Sequence, residues 1–296
     1  MRKNQVLYAI VLLFTAILIF LPGCGGGTKI QMPKGGVKLS YKNAIGKTFH
    51  YRTRVDKYIQ TSQQGATITR LVKGDVKFTI SVEEGDSAGE VKMKYRFENV
   101  DVGVFQNDQL QSSEEVEDMK DLEITATLDS EGTAIDVEGL DLEEELQKEE
   151  ISPLEFLLEF PLPQEKVTVG YSWHEEKDTV VTDEDMKIDR KVVQDFLVTD
   201  FVMLDSARVV VCKLTGSVDI HQVGETEQDG TPYDVDITMT GDIKGEVYFD
   251  IDNGCIVRQT SDKMIDIKGS QINEDTGEKQ PISYYNQEKF QTRLEK

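Results

Sequence analysis

Cys24 is the residue whose setting most directly specifies a reaction. Leu21-Pro22-Gly23-Cys24 closes an apolar run, Val6 to Leu21, that is interrupted only by Thr15 and preceded by Arg2 and Lys3. A positive end, an apolar stretch and a small residue at the cut form a secretion signal. Leu21, three positions back, and Gly23, just before the cysteine, leave the backbone open to a peptidase, and the thiol is then free to become a diacylglyceryl thioether. Pro22 departs from the small alcohol or alanine usual there. The run is shorter than the roughly 20 residues of a membrane span, so residues 1–23 read as a removable signal peptide. Two acyl chains, at about 0.8 kcal/mol per buried methylene, would hold the mature chain on a membrane through Cys24. The expected location is the extracytoplasmic side of the cell envelope, and the outer membrane where the source has one, because Gly25 rather than Asp follows the cysteine.

The other reactive side chains do not assemble into a recognisable centre. Cys212 and Cys255 form an even pair in an oxidising compartment; they are either a disulfide or two small buried apolar residues. His50 and His174 each follow an inward aromatic, so strand alternation sends them to the wetter face, and His221 sits at a strand end. No HxH, HExxH or clustered Cys/His spacing links them to a metal. Ser172, in Gly-Tyr-Ser-Trp-His, lacks the second glycine of a nucleophile elbow and has no acidic orienter fixed by motif. Asp183-Glu184-Asp185 is an acidic cluster, and Asp250-Ile251-Asp252-Asn253-Gly254 begins like a calcium loop but lacks the glutamate at the twelfth position. No phosphate-cradling glycine motif or dinucleotide fingerprint is present. The sequence therefore implies no cofactor, no metal and no enzyme.

Composition narrows the partners. The chain carries 55 acidic against 33 basic residues, a net charge of −22, which repels nucleic-acid phosphates and anionic headgroups. Nucleic acid is excluded as a partner. Residues 25–36, GGGTKIQMPKGG, have no apolar period and read as part of a glycine-rich tether over 24–40.

The elements that must position any site are strands. Phe49, Tyr51 and Val55 alternate with Thr48, His50, Arg52 and Arg54, and Val91, Met93, Tyr95 and Phe97 alternate with Glu90, Lys92, Lys94 and Arg96. One charged and one apolar face per strand means an antiparallel sheet wetted on one side. Val76 to Val82 repeats the pattern, and Leu122–Leu128 and Thr133–Val137 form a hairpin around Asp129-Ser130-Glu131-Gly132. Later strands are expected over 188–199, 207–220, 233–239, 246–251 and 255–267, with Asp252-Asn253-Gly254 a hairpin turn. Residues 270–296 read as a last hairpin, around 273–277, with a frayed polar end. Between 140 and 163 the period changes: Ser152-Pro153-Leu154-Glu155 is a capping box with proline at the first helical position, Leu154, Leu157 and Leu158 form a helical stripe, and Pro161-Leu162-Pro163 stops it.

Gly46-Lys47-Thr48-Phe49-His50 and Gly170-Tyr171-Ser172-Trp173-His174 share glycine, hydroxyl, aromatic and histidine at matching positions, and suggest an internal repeat. PLPQEKVTVGYSW, together with the lipobox and the glycine tether, resembles a group of uncharacterised bacterial lipoproteins in which a proline-bearing segment leads into a Val-x-Val-Gly-x-Ser-Trp strand. The general build is similar to the half-barrels that carry lipid or acyl chains in bacterial envelopes, a likeness of architecture that transfers no site residues. The expected fold is mainly β: two curved antiparallel β-meander halves, residues 41–139 and 164–296, joined by a short helical linker, 140–163. The expected function is a non-enzymatic binding module of the envelope. Its alternatives are a carrier of a lipid or other apolar ligand in a concave sheet, lined by Phe49, Tyr51, Val55, Met93, Tyr95 and Phe97, and a structural module that docks an envelope protein.

Overall fold

The computed structural model describes residues 27–63, 66–106, 109–116, 119–139, 156–158, 160–182, 186–228, 231–273 and 276–295. Cys24 and its lipobox, Asp183-Glu184-Asp185 and residues 140–155 lie outside that set. Among the described residues no helix is long and apolar enough to cross a membrane.

The chain is mainly β. Its strands are β1 (Thr28–Lys29), β2 (Thr48–Gln63), β3 (Ala66–Glu84), β4 (Val91–Gln106), β5 (Gln109–Glu115), β6 (Glu123–Leu128), β7 (Ala134–Glu138), β8 (Ser172–Thr182), β9 (Met186–Leu204), β10 (Ala207–Gln228), β11 (Thr231–Asp250), β12 (Cys255–Asn273) and β13 (Lys279–Glu295). All pair antiparallel in one sheet ordered β1-β9-β10-β11-β12-β13-β2-β3-β4-β6-β7, with β5 also on β4 and β8 also on β9. The sheet is not closed. The two expected halves are therefore one continuous sheet, joined where β13 runs along β2 from Tyr284↔Thr61 to Glu295↔His50. This seam also corrects the expected frayed end: Lys279–Glu295 is an interior strand, with Phe290 and Thr292 buried.

The strands are longer than their sequence patterns suggest. The expected strands at 233–239 and 246–251 are one, because residues 240–245, Gly241 and Gly245 among them, lie within β11. A Cβ at Gly245 would stand 2.1 Å from the Thr260 carbonyl oxygen, and one at Gly216 would stand 2.3 Å from that of Val193. At these positions glycine lets the neighbouring backbone approach closely.

Among the described residues of 140–163 no helix is found, and the rest of the expected linker lies outside them. In the described part of 156–163, Phe156, Leu158, Phe160, Pro161, Leu162 and Pro163 are buried, Leu157 is half-buried, and the only helical residue is a 3-10 one at Phe156. Burial is continuous from Phe160 to Pro163, and the stretch joins no ladder with the strands, its Leu162 amide donating to the Glu131 carbonyl. Pro161 and Pro163 remove two amide donors and prevent it from joining either a helix or a ladder. It crosses the inner face of the sheet as a plug. Phe156 meets Phe97 edge-on at 6.0 Å, and Phe160 meets Trp173, Phe196 and Phe249 at 5.5–5.8 Å between centroids. Its polar backbone is satisfied by side chains: Tyr41 Oη donates to the Phe160 carbonyl, the Leu158 amide donates to Tyr95 Oη, and Trp173 Nε1 donates to the Pro161 carbonyl. Buried polar groups need such partners.

Residues 27–40, expected to be part of a free tether, are pinned along this body. Thr28 and Lys29 pair with Met203 and Val202 of β9, Val37 bridges Val167, and Leu39 is buried. Ile30, Met32 and Val37 supply the apolar contacts that hold the segment.

Candidate functional site

Strand alternation gives the sheet two chemically distinct faces. On β2, Tyr51, Thr53, Val55 and Lys57 are buried, whereas Arg54 and Asp56 are exposed. The inner set faces the plug. The six residues expected to line a ligand cavity, Phe49, Tyr51, Val55, Met93, Tyr95 and Phe97, all stand on this inner face, but at the plugged end they are core. Tyr51, Tyr95 and Phe97 surround Phe78 with centroids at 5.5–6.1 Å, and the space enclosed by Phe49, Tyr51, Met93 and Leu158 is about 10 Å³. That is room for one water at most, so these side chains enclose no ligand-sized cavity there. The plug, which periodicity reads as a covering helix, occupies the volume instead.

A concavity of about 1050 Å³ lies on the outer, charged face, spanning β10 to β5. Its lining explains itself without a ligand. In register across β11, β12, β13, β2 and β3 stand Lys244, Asp262, Lys289, Asp56 and Lys73, each opposite a residue of the other sign. Arg52 and Asp75 continue the scheme with a bidentate pair at 2.6 and 2.5 Å, which holds the Asp75 carboxyl below its ordinary pKa. Opposite charges on facing strands stabilise a sheet by a few tenths of a kcal/mol per pair. This surface is a self-neutralised ladder.

The remaining reactive residues are likewise accounted for. Cys212 and Cys255 are both free and buried. Cys212 faces Val247 and Cys255 faces Asp250, so β11 lies between them; two strand spacings, about 9.6 Å, exceed what a disulfide bridges. Burial pushes both thiols up to about 12. The three histidines are on the outer face with separate carboxylates: His50 with Glu98 at 3.8 Å, His174 with Asp195 at 2.9 Å, and His221 with Asp236 at 3.0 Å. The Asp195 hydrogen bond raises the His174 pKa. Among the described residues, no group of three or more His, Cys, Asp or Glu is placed to hold a metal. In the calcium-like loop, Asp250 accepts from the Asp252 and Asn253 amides at 2.8 and 3.0 Å and from Asn253 Nδ2 at 2.8 Å. Its oxygens build the β11–β12 turn. Gly46 and Gly170 share a positive φ before their strands, yet β2 is interior and β8 marginal, so the two echoing segments are alike locally and differ in context.

What the sequence patterns miss lies further along the inner face. Beyond Val55 the inner row across β11, β12, β13, β2, β3 and β4 reads Ile243, Lys263, Glu288, Lys57, Val72 and Val104. All but Lys263 are buried. Lys57 Nζ lies 3.6 Å and Lys263 Nζ 3.9 Å from the Glu288 carboxylate, which also accepts from Asn286 Nδ2 at 3.0 Å. The following rows, Ile265 with Asn286 and Ile59, then Ile220 with Met239, Ile267 and Tyr284, are half-buried throughout. The inner face thus passes from a filled aromatic core, through one charged row, to apolar side chains that are only partly covered. Alternation marks the apolar rows from sequence; Lys57 at an inward position hides the charged one.

No family model matches the chain, and no curated relative matches it. Among solved structures it is similar to Pseudomonas aeruginosa OccK11 (OpdR) at 6% identity, over 90% of this chain and 100% of that one, with a TM-score of 0.22. An outer membrane channel from Pseudomonas putida F1 aligns at 8% identity over 90% and 100%, TM-score 0.19. A DUF1329 family protein from Desulfovibrio piger aligns at 10% identity over 86% and 91%, TM-score 0.15. Scores of this size transfer neither a fold nor a function to this chain.

Proposed function

We propose that this chain is a non-enzymatic binding module held on the extracytoplasmic side of a bacterial membrane through Cys24, and that it receives the apolar chain of a lipid on the open end of its inner sheet face. The observation that carries this reading is the change along that face: rows of aromatic and aliphatic residues are sealed by the plug at one end, while equivalent rows containing Ile59, Ile265, Ile267 and Met239 remain half-buried at the other. Partly covered apolar rows in a long sheet mark a place where another apolar surface can be buried. The secretion signal and lipobox support placement in the envelope. The outer face, whose charges pair among themselves, gives less support to the alternative of docking an envelope protein through an acidic rim.

Native mass spectrometry of the full-length protein extracted from its own membrane tests both parts. The expected spectrum shows a diacylglyceryl mass on the peptide beginning at Cys24 and an additional noncovalent lipid on the intact chain. A chain that keeps Met1 and carries no acyl mass contradicts the anchor, and a lipidated chain that releases no further lipid contradicts the bound occupant.

A further inference from the structure

We infer that the chain stands on its membrane by the plugged end and holds the open apolar rows about 40 Å away, so that the occupant reaches them from the aqueous side and not from the anchoring leaflet. This deepens the binding reading above and rests on its anchor at Cys24.

The chain path fixes which end is tied down. Thr28 and Lys29 pair with Met203 and Val202, and the Ile30 amide donates to the Phe201 carbonyl at 3.0 Å. These partners close β9 at the end of the sheet that the plug fills, where Phe160 meets Phe196 and Phe249. Four Cα steps separate Cys24 from Thr28, at most about 14 Å, so the lipid is confined to that end. From the Met203–Arg208 pair to the row of Ile220, Met239, Ile267 and Tyr284 is twelve residues along β10, about 40 Å at the rise of a strand.

Charge makes the strands rise from the surface instead of lying along it. Residues 27–47 carry five lysines and no acid, in a chain of net charge −22. Lys29 pairs with Asp200, Lys38 donates to the Pro163 carbonyl at 3.1 Å and Lys47 to Asn253 Oδ1 at 3.0 Å, which fixes these three at the anchored end. In the neighbouring turns Asp86 is matched by Lys92 and Asp252 by Arg208. At the opposite end the connectors 183–185, 229–230 and 274–278 contain seven acids and no cation. Anionic headgroups therefore attract the anchored end and repel the far one. Beside the anchored segment, Met203 opposite Thr28 and Val169, two residues from the Val37–Val167 bridge, are exposed apolar side chains. They suit the boundary between headgroups and acyl chains.

The test uses the full-length lipidated protein, reconstituted in vesicles of phosphatidylcholine and phosphatidylglycerol that contain a headgroup-labelled energy acceptor. A donor dye is placed on Ser206→Cys, in the turn after β9, or on Asp234→Cys, an exposed position of β11 opposite Glu225. Cys24 is acylated, and Cys212 and Cys255 are buried, so the dye goes to the introduced thiol. The donor at Ser206→Cys should lose most of its emission and the donor at Asp234→Cys should keep nearly all of it. Thr168→Cys, exposed beside the Val37–Val167 bridge, gives a second label at the anchored end and should behave like Ser206→Cys; unfolding curves confirm that each labelled variant folds. Equal loss at the two ends, or a greater loss at Asp234→Cys, overturns the upright orientation and leaves the anchor standing. Vesicles that float without the protein overturn the anchor, and the orientation with it.

Discussion

Phe160→Ala is expected to destabilise the protein by about 3–5 kcal/mol, the range for emptying a buried aromatic site. Phe160 is fully buried and meets three rings from β8, β9 and β11. Its carbonyl also accepts from Tyr41 Oη at 3.0 Å, so the cavity opens where a buried hydrogen bond depends on the position of the plug. Leu157→Ala, at a half-buried neighbour, should cost much less. Urea unfolding of the two variants measures the difference. If they lose equal stability, Phe160 is not packed more deeply than its half-buried neighbour, and the description of the plug fails.

Glu288→Gln should be comparably costly, again about 3–5 kcal/mol, because removing one member of a buried ion pair leaves the other desolvated and unpaired. The side chains of Lys57 and Glu288 are only 9% and 10% exposed. The double variant Lys57→Met/Glu288→Met removes both charges and should recover most of that loss, since a buried pair is often no better than an apolar replacement of similar size. A double-mutant cycle by thermal or urea unfolding gives the coupling directly. Additive effects would mean that the two groups do not face one another across the β2–β13 seam.

That seam shows where sequence reading stops. The strand at 91–97 is legible because six consecutive alternations separate apolar from charged residues, and the turn at Asp252-Asn253-Gly254 is legible from its local chemistry. The pairing of β13 with β2 joins residues more than 200 positions apart, and nothing local records it; what the two strands share is only compatible alternation. Lys57 conceals the continuation of β2 for a related reason. A lysine at the next inward position after Val55 looks like the end of a half-buried strand, and Glu288, brought opposite by the fold, helps make it tolerable there. Pattern also misleads at Phe156–Leu162: Leu157 and Leu158 belong to a stripe that argues for a helix, and among the described residues none is found. The two prolines, and the ring contacts of Phe156 with Phe78 and Phe97 and of Phe160 with Trp173, Phe196 and Phe249, oppose a helix there. Of the candidate site, the six inner-face residues are legible as a set, but not the fact that a second segment fills the space before them.

The central claim is that the inner face beyond Lys57 takes up an apolar chain and the outer face does not. Adjacent residues on β12 separate the two, since Ile267 is inward and Lys268 outward. An environment-sensitive fluorophore on Ile267→Cys should shift to the blue on titration with laurate, while the same label on Lys268→Cys should stay unchanged. A shift of equal size at both positions, or at Lys268→Cys alone, would contradict the account.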